Sequence, residues 1–392
     1  MIPPSDSPFR EEWDLLHELR NTPELLCTVS RAQGNELSLQ TQLRREYPER
    51  LVRAAFALCE LRRKGAAKFA RGAEMWFDRQ GVEQATSEAV ARLKARRFSG
   101  QVFDLCCGIG GDTLALGERC DVIAVDINPI ACLRTQWNAG VYERASRVTV
   151  ACQDVAAVDP GHALIHIDPD RRAQAAGRAV RVEDYLPPLQ TLQQIAGTRR
   201  GGAIKLSPAS NFGGKFRDVE IELVSLHGEC KEATVWFGEL RGSEPWRATV
   251  LPAGETLAAN PLDFAAGITP PGQYIYDPDP AVVRAGLVDA AAVGLGLSRL
   301  DAAEEYLTGT RRVATNFAQP FELLAELPNN DAEIRAYFRA SDFGQVEIKC
   351  RHIPIDADGI RRRLPLPGAQ PAVLIFARLS GKSRALVCRR SP

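Results

Sequence analysis

One stretch, VFDLCCGIGGDTLALGERCDVIAVD from Val102 to Asp126, constrains the fold more than any other. A short apolar run carries Asp104 near its end. A glycine-dense turn follows (Gly108, Gly110, Gly111), and a second apolar run from Val122 to Val125 closes on Asp126. The order is strand, turn, helix, strand, with an acid at the end of each strand. Such a unit places a nucleoside-type ligand at the carboxyl ends of parallel strands. A dinucleotide fingerprint requires a third glycine three positions after the second, and Thr113 stands there instead. The turn therefore suits a ligand without a pyrophosphate.

The surrounding pattern predicts an α/β fold, a doubly wound Rossmann-like sheet with an N-terminal helical segment and a small C-terminal α+β domain. Strand patterns fall at Val102–Leu105, Val122–Val125, Val148–Ala151, Leu164–Ile167, Ala203–Leu206 and Thr234–Glu239, with helical patterns between them. We read residues 1–98 as a helical domain, 99–265 as the sheet domain and 266–392 as the C-terminal domain. In the first, Pro48 begins a helix with Leu51, Ala54, Ala55, Leu58 and Leu61 on one face, and Thr86 or Ser87 caps another. A linker is expected near 253–280, where Gly and Pro concentrate, followed by an Ala-rich helical pair over Asp279 to Leu297. Strand-like runs close the chain at Gln345–Cys350, Ala372–Leu379 and Arg384–Cys388.

Charge excludes any global attraction to a polyanion: 49 Lys and Arg balance 49 Asp and Glu. Two local basic features remain. Arg62, Arg63, Lys64, Lys68 and Arg71 follow the Pro48 helix, either as a solvated helix end or as a nucleic-acid contact. From Ser341 to Pro392 there are ten Lys or Arg against four Asp or Glu, including Arg361, Arg362 and Arg363. Ten cysteines occur without a Cys-x-x-Cys pair, which points to reduced thiols in a cytoplasmic protein rather than to a structural metal. No 18-residue apolar run is present, so neither a membrane span nor a signal peptide is expected.

The acids at successive strand ends carry the candidate chemistry. Asp104 could accept from an amino group and Asp126 from two ribose hydroxyls. Asp154, with Gln153 beside it, stands where an adenine amino group is read. The plainer alternative makes each acid a cap for the next helix. After the fourth strand come Asp168, Pro169, Asp170, Arg171 and Arg172. There an acid could orient an acceptor amine or take its proton, Pro169 frees a carbonyl, and the arginines could hold a phosphate, with Arg178 and Arg181 as weaker candidates. The plainer alternative is a turn with its salt-bridge partners. Lys205, within an apolar run, either pairs with an acid of the site or sits on an exposed strand end. His166 reads as a satisfied core residue, and the five histidines have no spacing suited to a metal.

The segment from Asp104 through Asp154 matches the acid-x-x-x-Gly-x-Gly pattern of class I methyltransferases. Across about 50 residues it resembles the RNA cap guanine-N2 methyltransferase (trimethylguanosine synthase) group. QATSEAVARLKARRF upstream resembles that group's helix entering the cofactor site. The segments YIYDPDPAVVRAGLVDAAAVGLGL, VEIKCRHIPID and LPLPG, with DPDRR and Lys205-Leu206-Ser207-Pro208, resemble bacterial methyltransferases with a THUMP-like C-terminal domain. The resemblance implies S-adenosylmethionine as methyl donor and RNA, a tRNA or rRNA, as acceptor. It implies donor contacts from Thr86, Asp104, Cys106, Gly108, Gly110, Asp126, Ile127, Gln153 and Asp154. Catalysis falls to Asp168, Pro169 and Asp170, and acceptor binding to Arg171, Arg172 and Lys205. The guanine-N2 group carries Pro-Pro-aromatic after strand four, where this chain has Pro169-Asp170-Arg171, so a cap substrate is not inherited. A small-molecule or protein methyltransferase, and a catalytically silent RNA-binding protein on the same fold, are the alternatives.

Overall fold

The computed structural model describes Pro3, residues 6–32, Gly34, residues 36–171 and residues 181–390. These divide into two units: Met1–Val219 with Thr234–Arg241, and Glu220–Ala233 with Gly242–Pro392.

In the first unit, strands β1 (Gln101–Leu105), β2 (Asp121–Asp126), β3 (Val148–Cys152), β4 (Leu164–Ile167) and β7 (Gly201–Leu206) pair in parallel in the order β7-β4-β1-β2-β3. The second half of β9 (Glu229–Gly238) flanks β7. Strand order therefore reverses beside β1, and the crevice at that switch point is where open α/β sheets bind ligands. A two-stranded ribbon, β5 (Asp170–Arg171) with β6 (Tyr185–Leu186), follows β4. Five of the six strand patterns expected from the sequence fall within observed strands, and the sixth, Thr234–Glu239, overruns the end of β9 by one residue.

Four helices open the chain: α1 (Arg10–Arg20), α2 (Pro23–Arg31), α3 (Glu36–Leu43) and α4 (Glu49–Gly65). The short α5 (Arg79–Gln84) and α6 (Glu88–Ala95) follow. Pro48 is the cap of α4 rather than its first residue, its ψ of 139° being extended. Between strands lie α7 (Gly111–Leu116), α8 (Pro129–Val141) and α9 (Leu189–Thr198). Ten residues of α8 are buried, because a second layer covers it: Ile130, Leu133 and Trp137 share a core with Trp13, Leu16, Leu25 and Leu58. Polar groups fix that packing. Buried Arg134 reaches Asp78 at 2.7 Å and Glu12 at 2.6 Å, and the Asn138 amide bonds the backbone of Trp76 and Ile109.

In the second unit, β8 (Glu220–Leu226) runs parallel to β10 (Trp246–Leu251), and β11 (Glu255–Ala259) returns antiparallel. The Gly/Pro-rich stretch expected to be linker from 253 thus begins with a strand, because Gly254, at φ +75°, turns the chain back onto β10. The Ala-rich pair forms α10 (Pro280–Arg284) and α11 (Val288–Leu295). A seven-stranded sheet combines β12 (Tyr274–Pro278), β13 (Ser298–Arg299), β14 (Leu307–Gly309), β15 (Ala318–Pro328), β16 (Phe343–Cys350), β17 (Gln370–Leu379) and β18 (Lys382–Arg390). Successive residues of β17 enter different cores. Val373, Ile375 and Ala377 pack with Phe321 and Tyr306, while Ala372, Leu374 and Phe376 pack with Phe338 of α12 (Asp331–Arg339). A strand buried on both faces needs the continuous apolar run it has. The last helix, α13 (Ala357–Arg363), carries the Arg361–Arg363 cluster.

Among the described residues no helix is long and apolar enough to cross a membrane.

Candidate active site

The glycine turn holds its shape through backbone conformations that favour glycine. Gly108 and Gly110 have φ +57° and +89°, and a Cβ on Gly110 would press on Thr135 at 3.2 Å. Thr135 Oγ1 in turn donates to the Gly108 carbonyl at 2.8 Å. Cys106 is also left-handed, at φ +58°. Burial pushes its thiol far above the ordinary range, with the Asp126 and Asp168 carboxylates adding to the effect.

Asp126 is the best-oriented acid at this crevice. Its Oδ2 accepts from Gly108 N at 2.9 Å and its Oδ1 from Asn128 N at 2.9 Å. Burial raises its carboxyl above the usual value while those two N–H groups oppose the rise. Each oxygen keeps acceptor capacity for a hydroxyl. Beside it Ile127 is 68% exposed, an apolar surface at the strand end. Gln153 N donates to the Asp126 carbonyl at 3.0 Å. Asp154 Oδ1 accepts from Ala156 N at 2.9 Å, the capping arrangement foreseen as the plainer alternative, and Gln153 Nε2 donates to Ala157 O.

Asp104 is bonded on both oxygens within the protein. It is 1% exposed, its Oδ1 accepts from His166 Nδ1 at 2.7 Å, and its Oδ2 accepts from the Thr113 hydroxyl. The physical reason is register: Asp104 and His166 are paired across β1 and β4. Thr113, which breaks the dinucleotide fingerprint, is the residue that ties the following helix to this acid. Asp104 therefore secures the turn from below, and His166 is a fully buried, bonded core residue.

A second buried acid, Asp112, opens α7. The Thr86 hydroxyl donates to its Oδ2 at 2.7 Å, and Lys94 Nζ lies 3.0 Å from its Oδ1. Burial opposes its charge, but Lys94, with His166, Lys205 and the Thr86 hydroxyl, holds the carboxyl well below the usual range. Thr86 thus fastens the segment before α6 to the glycine turn. Ser87, the cap of α6, makes no side-chain capping bond. Lys94 and Asp112 were not foreseen, although Lys94 stands four residues after buried Val90, a cation on an apolar helix face.

At the end of β4, Asp168 Oδ2 accepts from Lys205 Nζ at 2.6 Å, and the ammonium also lies 3.4 Å from Gln84 O. Of the two readings of Lys205, pairing with a site acid is the observed one. The side chain is 10% exposed, which places it behind Asp168 rather than at a free acceptor surface. Burial raises the Asp168 carboxyl and Lys205 lowers it, the net direction being upward. Asp170 begins the β5–β6 ribbon. Arg171 pairs through its backbone with Tyr185, while Arg172 and Arg178 lie outside the described residues. Arg181 is 70% exposed in its side chain and lies 3.9 Å from Glu183. Buried Tyr185, which sequence reasoning missed, locks the ribbon to the loop after β7. Its hydroxyl meets Ser210 Oγ at 2.7 Å and accepts from Ser207 N at 3.2 Å.

The residues present fit a sulfonium nucleoside. The pre-aimed Asp126 carboxylate keeps acceptor capacity for hydroxyls, an exposed aliphatic side chain stands beside it, and the glycine turn offers backbone. Comparison with known proteins decides the family. Over 348 residues the chain is 34% identical to an uncharacterized S-adenosylmethionine-dependent methyltransferase of Mycobacterium tuberculosis, present in strains CDC 1551 and H37Rv. The match covers 84% of this chain and 95% of the relative. The chain belongs to the S-adenosylmethionine-dependent methyltransferases.

Two family models match parts of this methyltransferase: RNA cap guanine-N2 methyltransferase over residues 99–199 and THUMP domain-like over 318–390. A crystal structure of a candidate methyltransferase from Porphyromonas gingivalis W83 shares the fold, with a TM-score of 0.77. It is 19% identical, and the match covers 97% of this chain and 99% of that one. S-adenosylmethionine is the cofactor of the methyltransferase. When bound, it supplies a methyl group on a positively charged sulfur to a nucleophile placed in line.

Proposed function

We propose that this methyltransferase acts on a base nitrogen of a structured RNA, a tRNA or rRNA, in the cytoplasm. The observation that carries this reading is Asp168, placed at the switch point, paired with Lys205 and followed by the Pro169 carbonyl. An exocyclic or ring N–H has its hydrogen accepted there, which aims the nitrogen lone pair at the methyl group. Asp168 takes the proton as charge leaves the sulfur, and Lys205 favours the ionised form of that carboxylate against its burial. Two matched models support RNA as the acceptor class, the RNA methyltransferase one and the THUMP-like one. Donor contacts are assigned to Asp126, Ile127, Gly108, Gly110, Cys106 and Gln153, with Asp104, Thr86 and Asp154 shaping the cradle. Arg171 and Arg172 are assigned to an RNA phosphate. We further assign the helical, methyltransferase and THUMP-like parts to residues 1–98, 99–265 and 266–392.

The N-terminal basic run is engaged within the protein, which weighs against it as a phosphate contact. Arg62 donates to the carbonyls of Met75 and Glu74, Arg63 pairs with Glu36, and Lys64 with Glu60. Lys68 donates to three carbonyls around the end of α5, and Arg71 pairs with Glu74 and Glu143. That observation favours the second reading, a small-molecule or protein acceptor. Tritiated S-adenosylmethionine offered with RNA from a strain lacking the gene, beside wild-type RNA, separates the two. Label entering only the deletion RNA supports RNA methylation. No label in either, with donor binding intact, removes it.

A further inference from the structure

Behind the carboxylate assigned to the ribose lie two thiols with no role in methyl transfer. Cys152 ends β3 and is the register partner of Asp126 across the β2–β3 ladder. Cys132 sits in α8, directly above the same ladder. Its thiol donates to the Asp126 carbonyl at 3.4 Å and lies 3.6 Å from the Ala151 carbonyl. The Cys152 thiol donates to the Ile127 carbonyl at 3.5 Å, the carbonyl next along the chain from the one that Cys132 meets. Both cysteines are free, Cys132 buried and Cys152 exposed. So one accessible and one sheltered thiol meet on the carbonyls of Asp126, assigned to the donor's ribose, and of its neighbour Ile127.

We propose that Cys132 and Cys152 form an oxidisable dithiol whose disulfide weakens donor binding. The pairing suits an attacking and a resolving thiol. The oxidant is a peroxide. The exposed Cys152 sulfur attacks one peroxide oxygen, the O–O bond breaks, and water leaves with Cys152 as a sulfenic acid. The Cys132 sulfur then displaces that oxygen, which departs as a second water carrying the Cys132 proton. Two thiols and one hydrogen peroxide become one disulfide and two waters. Burial, with the Asp126 carboxylate beside it, raises the Cys132 thiol. That makes Cys132 a poor first target and leaves attack on peroxide to its neighbour.

The disulfide acts on the donor site in two ways. It removes both thiol donors from the Asp126 and Ile127 carbonyls, and it draws α8 toward the end of β3. Asp126 and Ile127 lie in the backbone between them. This coupling rests on the assignment of the ribose to Asp126, whereas formation of the crosslink does not.

The test treats the full-length reduced protein with stoichiometric hydrogen peroxide and then reads two quantities. Peptide mass mapping is expected to show a Cys132–Cys152 crosslink, two hydrogens lighter than the thiols and reversed by dithiothreitol. Calorimetry with S-adenosylmethionine is expected to show affinity lower by about tenfold in the crosslinked form, the scale of one or two net hydrogen bonds. Cys152→Ser, at an exposed position, is expected to fold, to resist the crosslink and to keep reduced-form affinity after peroxide. Cys152 found as sulfinic acid with Cys132 untouched overturns the dithiol. A crosslink with unchanged affinity overturns its link to the donor. Reduced protein that ignores the donor, yet still crosslinks, points to a failure of the ribose assignment instead.

Discussion

Lys205 and Asp168 meet at 2.6 Å between the ends of two neighbouring parallel strands, and the lysine side chain is almost wholly buried behind the acid. On the proposed function the lysine is a positioning residue. Its ammonium offsets the rise that burial imposes on the Asp168 carboxyl.

Replacing Lys205 with Met is expected to lower kcat for methyl transfer by about 100-fold, the lower scale of general-base effects, with donor affinity changed little. Lys205 lowers the Asp168 value, so its loss moves that value further up. The acid limb of the pH–rate profile then shifts to higher pH. Single-turnover transfer from tritiated donor across a pH series checks both. An unshifted limb with low activity makes Lys205 structural only.

Asp126→Ala removes an acceptor already aimed by two backbone N–H groups. Donor binding is expected to weaken by about 1.5–3 kcal/mol, the range for hydrogen bonds to a charged group. Calorimetry reads this directly, with thermal unfolding as the control for the glycine turn.

The Lys94–Asp112 pair is buried on both sides, at 4% and 7% exposure. Asp112→Asn removes the carboxylate charge 3.0 Å from the buried ammonium and is expected to cost about 3–5 kcal/mol of stability. The pH sign follows from the depressed carboxyl. Its contribution is complete above the ordinary value of 3.8 and is lost as pH falls toward the lower folded value. The wild-type advantage in urea unfolding should narrow below about pH 4. A constant gap would remove Asp112 as its source.

The fold was legible because its central strands obey one rule, an apolar run ending near an acid. β8 escaped that rule. It reads Glu-Ile-Glu-Leu-Val-Ser-Leu, and both acids are buried, Glu220 bonded to Arg247 and the Gly242 N–H, Glu222 to the Thr249 hydroxyl. Their partners lie more than twenty residues away, so no local pattern announces that the charges are satisfied. The same distance hid the buried partner of Asp104. Its strand-end position was readable, but its partner His166 is 62 residues on and becomes its neighbour only through parallel pairing. Lys205 left two readings open for the same reason.

In the C-terminal unit, Arg361 pairs with Asp358 and Arg363 with Asp331, while Arg362 has no partner among the described residues. Changing all three to Ala is expected to alter stability by under about 1 kcal/mol, as exposed pairs do. If this helix grips RNA, affinity falls and the salt slope of binding drops by about one for every phosphate the variant no longer neutralises. Filter binding across a salt series decides; an unchanged slope places RNA binding elsewhere on the protein.

The burial of α8 beneath the N-terminal helices also sets an order of events during synthesis. Leu16 and Leu25 leave the ribosome roughly 120 residues before Trp137, the residue that completes their core. At about 5–20 residues per second, those apolar faces wait roughly 6–24 seconds for their cover. Through that interval those faces depend on the rest of their own core, Leu51 and Leu58 of α4 among it.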